Sequence, residues 1–257
     1  MTEVALLKAD PFAFYARAIL KLNPLDALDA DPTGGDRGQV VHRILERWVR
    51  EPALQDMGLE ALVDAELRQL GDRPDIAALW RRRVVRMAQF AVSEMAKKPE
   101  WQPTVVEAKA RWAIAGVILT GIPDRIDSGP DGYRVVDYKT GAPPGPGKVK
   151  DLFDPQLALL ALMAEAGAFE GLPPGIVAEL EYVKLSGGND TDYVRPALGK
   201  KPADLRAHLD DVRTDFTALV GRYLLGDAAF TAKLHPVYSS ASKDYDHLAR
   251  LAEWVQR

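Results

Sequence analysis

The chain has 257 residues, 47% of them hydrophobic, which is ordinary for a folded globule and excludes disorder as the default. It contains no cysteine, so disulfides, thiolate zinc sites, iron–sulfur clusters and thiol catalysis are excluded, and any metal must be held by oxygen and imidazole. With 33 basic and 37 acidic residues the net charge is −4, which gives no global attraction to nucleic acid; such a function has to rest on local patches.

Lys8 and Asp10 interrupt the N-terminus early, and the longest uncharged stretch, residues 112–123, is too short to cross a bilayer. The expectation is a cytoplasmic protein with no membrane segment. The first third reads helical: Asp36 with Gln39 three residues on has the form of a capping box, and Val41, Ile44, Leu45, Trp48 and Val49 recur at helical spacing until Pro52. Further helices are expected over 53–70 and 76–95. The second carries Arg81, Arg82, Arg83 and Arg86, a basic cluster that is either a solvated face or a ligand site. Residues 104–112, 117–127 and 133–139 are rich in β-branched and aromatic side chains and are separated by turn signals, predicting three consecutive antiparallel strands. A glycine/proline loop over 141–147 precedes a strongly apolar helix over 154–168. A fourth strand is expected over 176–185, a short fifth over 193–195, and closing helices over 203–225 and 245–255. No repeat or long linker divides the chain. The economical reading is one α+β domain over 1–257, with a helical layer to about residue 100, a core over 103–196 and C-terminal helices from 203.

Alternation along the second strand puts Ile118, Thr120, Ile122, Asp124 and Ile126 on one face, so Asp124 is a carboxylate in an apolar row, an expensive place unless something pairs with it. In the third strand Asp137 and Lys139 share a face, and Val135 with Val136 marks a strand covered on both sides. If these strands are hairpin neighbours, Asp124 and Asp137 come together, and two carboxylates with a lysine in a covered cleft suit Mg²⁺. Taken alone, the tripeptide favours a blander reading, an edge ion pair between Asp137 and Lys139 with Asp124 at a strand end in water. Asp127 is expected to pair with Arg125 or face solvent, and Tyr133 and Trp112 are expected in the core. His208, His235 and His247 have no partner spacing that suggests a site.

The order of the blocks reverses the balance. Gly38 stands four residues before His42, then come Gly121-Ile122-Pro123-Asp124, Asp137-Tyr138-Lys139-Thr140 and Pro155-Gln156. This order resembles the PD-(D/E)XK nuclease superfamily and, within it, RecB-like nuclease domains. The closest likeness is to the C-terminal nuclease domain of AddB-type subunits of AddAB helicase–nucleases in their alphaproteobacterial form, supported by stretches 10–17 and 244–250. The resemblance implies a restriction-endonuclease-like α+β fold, a central mixed sheet of four to five strands flanked by helices. It implies that Asp124 and Asp137 bind Mg²⁺ or Mn²⁺ with the Tyr138 carbonyl and the His42 imidazole, that Lys139 orients the attacking water or stabilises the transition state, and that Gln156 and Thr140 contact DNA. Glu107 enters only as an outer-shell candidate. The resemblance further implies single-stranded DNA as substrate, a role in double-strand break repair by homologous recombination, an AddA-like helicase–nuclease partner, and a longer AddB-like chain of which this is the C-terminal region. The alternatives are a structural module that has lost catalysis and a free-standing exonuclease. Many such nucleases close the domain with an iron–sulfur cluster, and a cysteine is then expected just before Pro11, where Asp10 stands. The ends are therefore expected to meet by packing of Phe12, Phe14, Tyr15, Tyr245, Leu248 and Trp254.

Overall fold

The computed structural model describes residues 1–23, 33–70, 73–188, 191–198, 202–238 and 244–254. The chain opens with two short helices, α1 (Thr2–Ala9) and α2 (Pro11–Phe14), the latter continued by a π-helical turn over Tyr15–Ile19. Asp10 is the N-cap of α2: its buried carboxylate accepts a hydrogen bond from the Ala13 N–H at 3.1 Å. Helix α3 (Gly34–Arg50) starts earlier than expected. The capping box runs from Thr33 to Asp36, not from Asp36 to Gln39, because the Thr33 hydroxyl accepts from the N–H groups of Gly35 and Asp36 while the Asp36 carboxylate accepts from the Thr33 N–H at 2.6 Å. The helix expected over 53–70 is two, α4 (Ala53–Met57) and α5 (Leu59–Arg68), since Gly58 breaks it with a φ of +85° that a glycine adopts freely. Helix α6 (Pro74–Ala96) begins on a proline at its first position, where the missing N–H costs nothing.

The strands follow as β1 (Gln102–Val106), β2 (Ala110–Ile114), β3 (Val117–Gly121), β4 (Arg125–Gly129) and β5 (Gly132–Lys139). After them come α7 (Pro146–Lys150), α8 (Gln156–Glu165), β6 (Val177–Lys184), β7 (Tyr193–Pro196), α9 (Pro202–Leu219) with a π-helical turn over Val220–Leu224, and α10 (Leu251–Trp254). The main sheet has the order β1-β4-β5-β6-β7, antiparallel throughout except for the parallel pair β5–β6, which the crossover through α7 and α8 requires. This mixed five-stranded sheet flanked by helices is the expected restriction-endonuclease-like architecture.

Two of the expected long strands are each broken in the middle. Residues 107–109 and 122–124 leave the ladder, and Pro123 has no N–H to give it. Strands β2 and β3 therefore form their own two-stranded sheet, yet their register, Ala110 opposite Gly121, continues that of Val106 opposite Arg125. The two halves are one β-ribbon with a gap. The single apolar row expected along 117–127 does not survive the gap: Ile118 and Ile122 are 57% and 47% exposed, whereas Ile126 is fully buried.

Val135 and Val136 are both fully buried, on opposite faces of β5. On one face Val135 packs with Leu157, Leu160 and the rest of α8, which is buried all round between the sheet and α9. On the other, Val136, Tyr138 and Val183 meet Val41, Ile44 and Leu45 of α3 and Val84 and Ala88 of α6. Tyr133 is buried as expected, and Trp112 packs against the α8 core.

The chain ends meet differently from expectation. Phe14 and Tyr15 pack on Phe230, at ring-centroid distances of 6.4 and 5.0 Å, and Phe230 packs on Tyr223. Phe12 contributes its backbone N–H, donated to the Thr231 carbonyl. The Tyr245 hydroxyl donates to the Leu22 carbonyl at 2.6 Å, while Leu248 is 47% exposed. Residues 244–250 run as turns, so the last helix is short; Val255 and the Trp254 side chain lie outside the described residues. Among the described residues no helix is long and apolar enough to cross a membrane.

Candidate active site

The gap in the β-ribbon places two carboxylates together. Glu107 follows β1 with a φ of +45°, uncommon away from glycine, and its N–H bonds to the carbonyls of Pro123 and Asp124 at 3.0 and 3.3 Å, which ties the two sides of the gap. Opposite stands His42 on α3. Its Nδ1 lies 3.3 Å from Glu107 Oε1 and 3.4 Å from Asp124 Oδ1, and its Nε2 lies 3.0 Å from the Tyr138 carbonyl oxygen. Asp124 Oδ2 accepts the Tyr138 N–H at 2.6 Å, so the edge of β5 fixes the carboxylate's orientation.

Both motif glycines have a steric reason. A Cβ on Gly38 would sit 2.9 Å from Thr140 Oγ1, so only a glycine lets α3 approach the end of β5 and present His42 one turn later. A Cβ on Gly121 would sit 2.7 Å from Met1 Cε and 2.9 Å from Leu160 Cδ2, so glycine seats the ribbon on α8 just ahead of Asp124.

Asp137 stands beside this cluster. Lys139 Nζ lies 2.9 and 2.7 Å from its two oxygens, and the Gln156 amide at the start of α8 donates to it at 3.2 Å. Gln156, expected at the DNA backbone, is thus placed on Asp137, and Thr140 has its side chain against Gly38. Burial, with the neighbouring Asp124 charge, pushes the Asp137 carboxyl up to about 7, against the opposing pull of Lys139. Burial disfavours the His42 imidazolium, but hydrogen bonds to Asp124 and Glu107 outweigh it and raise the group to about 10. A cation is therefore favoured between these carboxylates.

Behind Tyr138 lies a layer of buried charge. Arg125 donates to the Tyr138 hydroxyl and pairs with Asp127 at 2.7 Å; Arg134 pairs with the other oxygen of Asp127 at 2.6 Å and stacks on Trp101. Asp127 is fully buried, so of the two expected outcomes it takes the pairing with Arg125 and adds Arg134, which sequence spacing does not reveal. Removing one partner of such a group is costly, which makes this layer a rigid backing for the Tyr138 main chain.

The donor atoms of His42, Glu107 and Asp124 all lie within 4.8 Å of one another. Two carboxylates and an imidazole, with the Tyr138 carbonyl at the same place, form a hard, oxygen-rich donor set that fits a divalent cation. Of the expected ligands His42, Asp124 and Tyr138 converge here; Asp137 lies outside that group, held by Lys139 and Gln156; and Glu107, expected at most in an outer shell, stands inside it.

The chain matches the PD-(D/E)XK nuclease superfamily over residues 1–236. It is also similar to uncharacterized proteins of Rickettsia bellii and Rickettsia conorii, 26% identical over 185 residues in each case, and of Rickettsia typhi, 26% identical over 184. Each of these matches covers 66% of this chain but only 21–22% of the relative, so the chain spans about a fifth of the length of the curated relatives. With the family match running through every strand described above and through His42, Glu107 and Asp124, the chain belongs to the PD-(D/E)XK nuclease superfamily.

Proposed function

We propose that this domain hydrolyses phosphodiester bonds of single-stranded DNA delivered by an AddA-like helicase partner, within an AddB-like chain acting in double-strand break repair. The observation that carries the nuclease reading is the convergence of His42, Glu107 and Asp124 within 4.8 Å, with the buried Asp137–Lys139 pair beside them. Mg²⁺ or Mn²⁺ held by these groups and the Tyr138 carbonyl would supply a bound water of lowered pKa and neutralise charge building on the phosphate. Lys139 offers a compact ammonium that donates to phosphate oxygens as negative charge develops. Asp137 holds that ammonium through both carboxylate oxygens, and Gln156 steadies Asp137 in turn. Hydrolysis adds the water oxygen to phosphorus and breaks one P–O ester bond, leaving a phosphate monoester and an alcohol.

The mild acidity of the chain suits a domain fed by a motor, which needs little sequence-independent phosphate affinity of its own. The lack of cysteine suits a reducing cytoplasm. The test is cleavage of an end-labelled single-stranded oligonucleotide with Mg²⁺ or Mn²⁺, comparing the wild type with Asp137→Ala, alone and reunited with a helicase partner. Metal-dependent cleavage lost in the variant is expected. Equal activity in both proteins, or none in either even with the partner, would defeat the reading and favour a module without catalysis.

A further inference from the structure

The arginine run on α6 divides by geometry. Arg81 is neutralised, with Nε 2.6 Å from Asp64 and its guanidinium 3.3 Å from Glu60. Arg83 turns instead to the Ser186 carbonyl, to which its Nε donates. Two further cations gather around it. Arg37, on the first turns of α3, lies over the Trp80 ring at 5.9 Å, and its buried Nε has no hydrogen-bond partner. Lys184, the last residue of β6, donates to the carbonyls of Thr140 and Gly141. Among the described residues none of these three forms an ion pair with a carboxylate. Asp192, whose charge does reach Lys184, is engaged by the N–H groups of Ser186 and Gly187 and by the Ser186 hydroxyl.

The cations feel one another. Desolvation and then the Arg83 charge lower the pKa of Arg37, and desolvation lowers Lys184, with Arg83 adding to it against Asp192. Like charges gathered on carbonyls and an aromatic ring, with Asp192 the one carboxylate whose charge reaches Lys184 and itself engaged by the loop N–H groups, are relieved by an arriving anion. Their position relates them to the active site. Arg37 precedes Gly38, which touches Thr140; Lys184 holds the Thr140 and Gly141 carbonyls; and Thr140 follows Lys139.

We propose that Arg37, Arg83 and Lys184 bind a second phosphate of the substrate strand, outside the metal centre and beyond the Lys139 end of β5. The ligand rests on the nuclease reading above. A strand engaged here and at His42 is held at two points, which fixes the phosphodiester presented for cleavage. Sulfate or free phosphate shares this chemistry, so the test separates a polymer from a small anion.

The experiment is fluorescence anisotropy of a labelled single-stranded oligonucleotide with the 257-residue chain in EDTA, titrated with salt, for the wild type, Arg83→Ala, Lys184→Ala and Arg81→Ala. Each lost phosphate contact on single strands reduces the log–log salt slope by about 0.7 and weakens binding roughly threefold near about 0.2 M salt and more at lower salt. Arg83→Ala and Lys184→Ala are expected to show that change, and Arg81→Ala, from the same run but already neutralised, none. Arg83 is exposed, so its variant keeps the test valid if Lys184→Ala unfolds on losing its loop carbonyls. An unchanged slope in Arg83→Ala, or an equal drop in Arg81→Ala, overturns the proposal. So does a thermal shift with inorganic phosphate alone and no difference in DNA binding, which would mark a small-anion site. If the wild type cleaves DNA while Arg83→Ala binds like it, this inference fails alone; if Arg83→Ala changes the slope but no metal supports cleavage even with the helicase partner, the nuclease reading fails and the phosphate site stands.

Discussion

His42 touches each of the other groups that could hold a metal, since its two ring nitrogens reach Glu107 and Asp124 on one side and the Tyr138 carbonyl on the other. Glu107 is the residue whose role sequence spacing understates most, and its removal gives the sharpest test at this scale. Glu107→Gln keeps the shape but removes one negative charge from the donor set. The expected outcome is loss of most of the Mn²⁺-induced rise in melting temperature and a fall in nuclease activity of at least about a hundredfold, read by thermal shift and by oligonucleotide cleavage. Near-normal values of both would remove Glu107 from the site. Asp124, Asp137, Lys139 and His42 were legible because each sits in a short block with a companion: a glycine, a tyrosine or a lysine at fixed spacing. Glu107 has no such companion. It lies in a stretch that alternates like a strand, and only the gap across the ribbon brings it to His42.

Where helix α3 passes the end of strand β5 at Gly38 and Thr140, the element scale decides the geometry. A methyl on Gly38 would press on Thr140 Oγ1 at 2.9 Å, so Gly38→Ala must push α3 away from β5 or turn Thr140 aside. Overpacking of this kind costs about 1–3 kcal/mol. Taking away the obstructing hydroxyl should recover part of it, so the double variant Gly38→Ala/Thr140→Ala is expected to be less destabilised than the sum of its singles, with a coupling of about 0.5–3 kcal/mol measured by denaturant unfolding. Strict additivity would show that the contact carries no strain. The helices and the sheet were readable from period and turn signals, because burial on one face leaves a pattern. The breaks were less so: Gly58 divides a continuous helical pattern, and the ribbon gap hides inside alternation that looks unbroken. The registration of Thr33 as the cap also escaped, since Asp36 with Gln39 imitates the same signature one turn later.

For the whole molecule the closure of the two ends falls to Phe14, Tyr15, Tyr223 and Phe230, an aromatic cluster that the sequence offered only in half, because Phe230 sits in a stretch without periodicity. Global stability should also carry a mark of acid. His208 on α9 is buried, its Nε2 lacks a hydrogen-bond partner, and burial lowers its pKa below the usual value, with Asp211 opposing weakly. A histidine held neutral in the fold is protonated more readily when the chain unfolds. Its contribution is therefore fully present above about pH 6.5 and is lost as the pH falls below that value. The melting temperature of His208→Leu is expected to drop less than that of the wild type between about pH 7 and pH 5; parallel curves would show that His208 plays no part.

The unbroken register on either side of the ribbon gap separates two kinds of change. Glu107 and Asp124 stand at the root of an arm formed by β2 and β3, whose tip turns at Ala115 and Gly116. Adding or deleting a cross-strand pair at that tip leaves both carboxylates facing His42, whereas one residue inserted between Ala110 and the root turns half the arm inside out. The length of the arm is accordingly set by the packing of Trp112, Ile114 and Val117 on the α8 core, and not by the chemistry at its root.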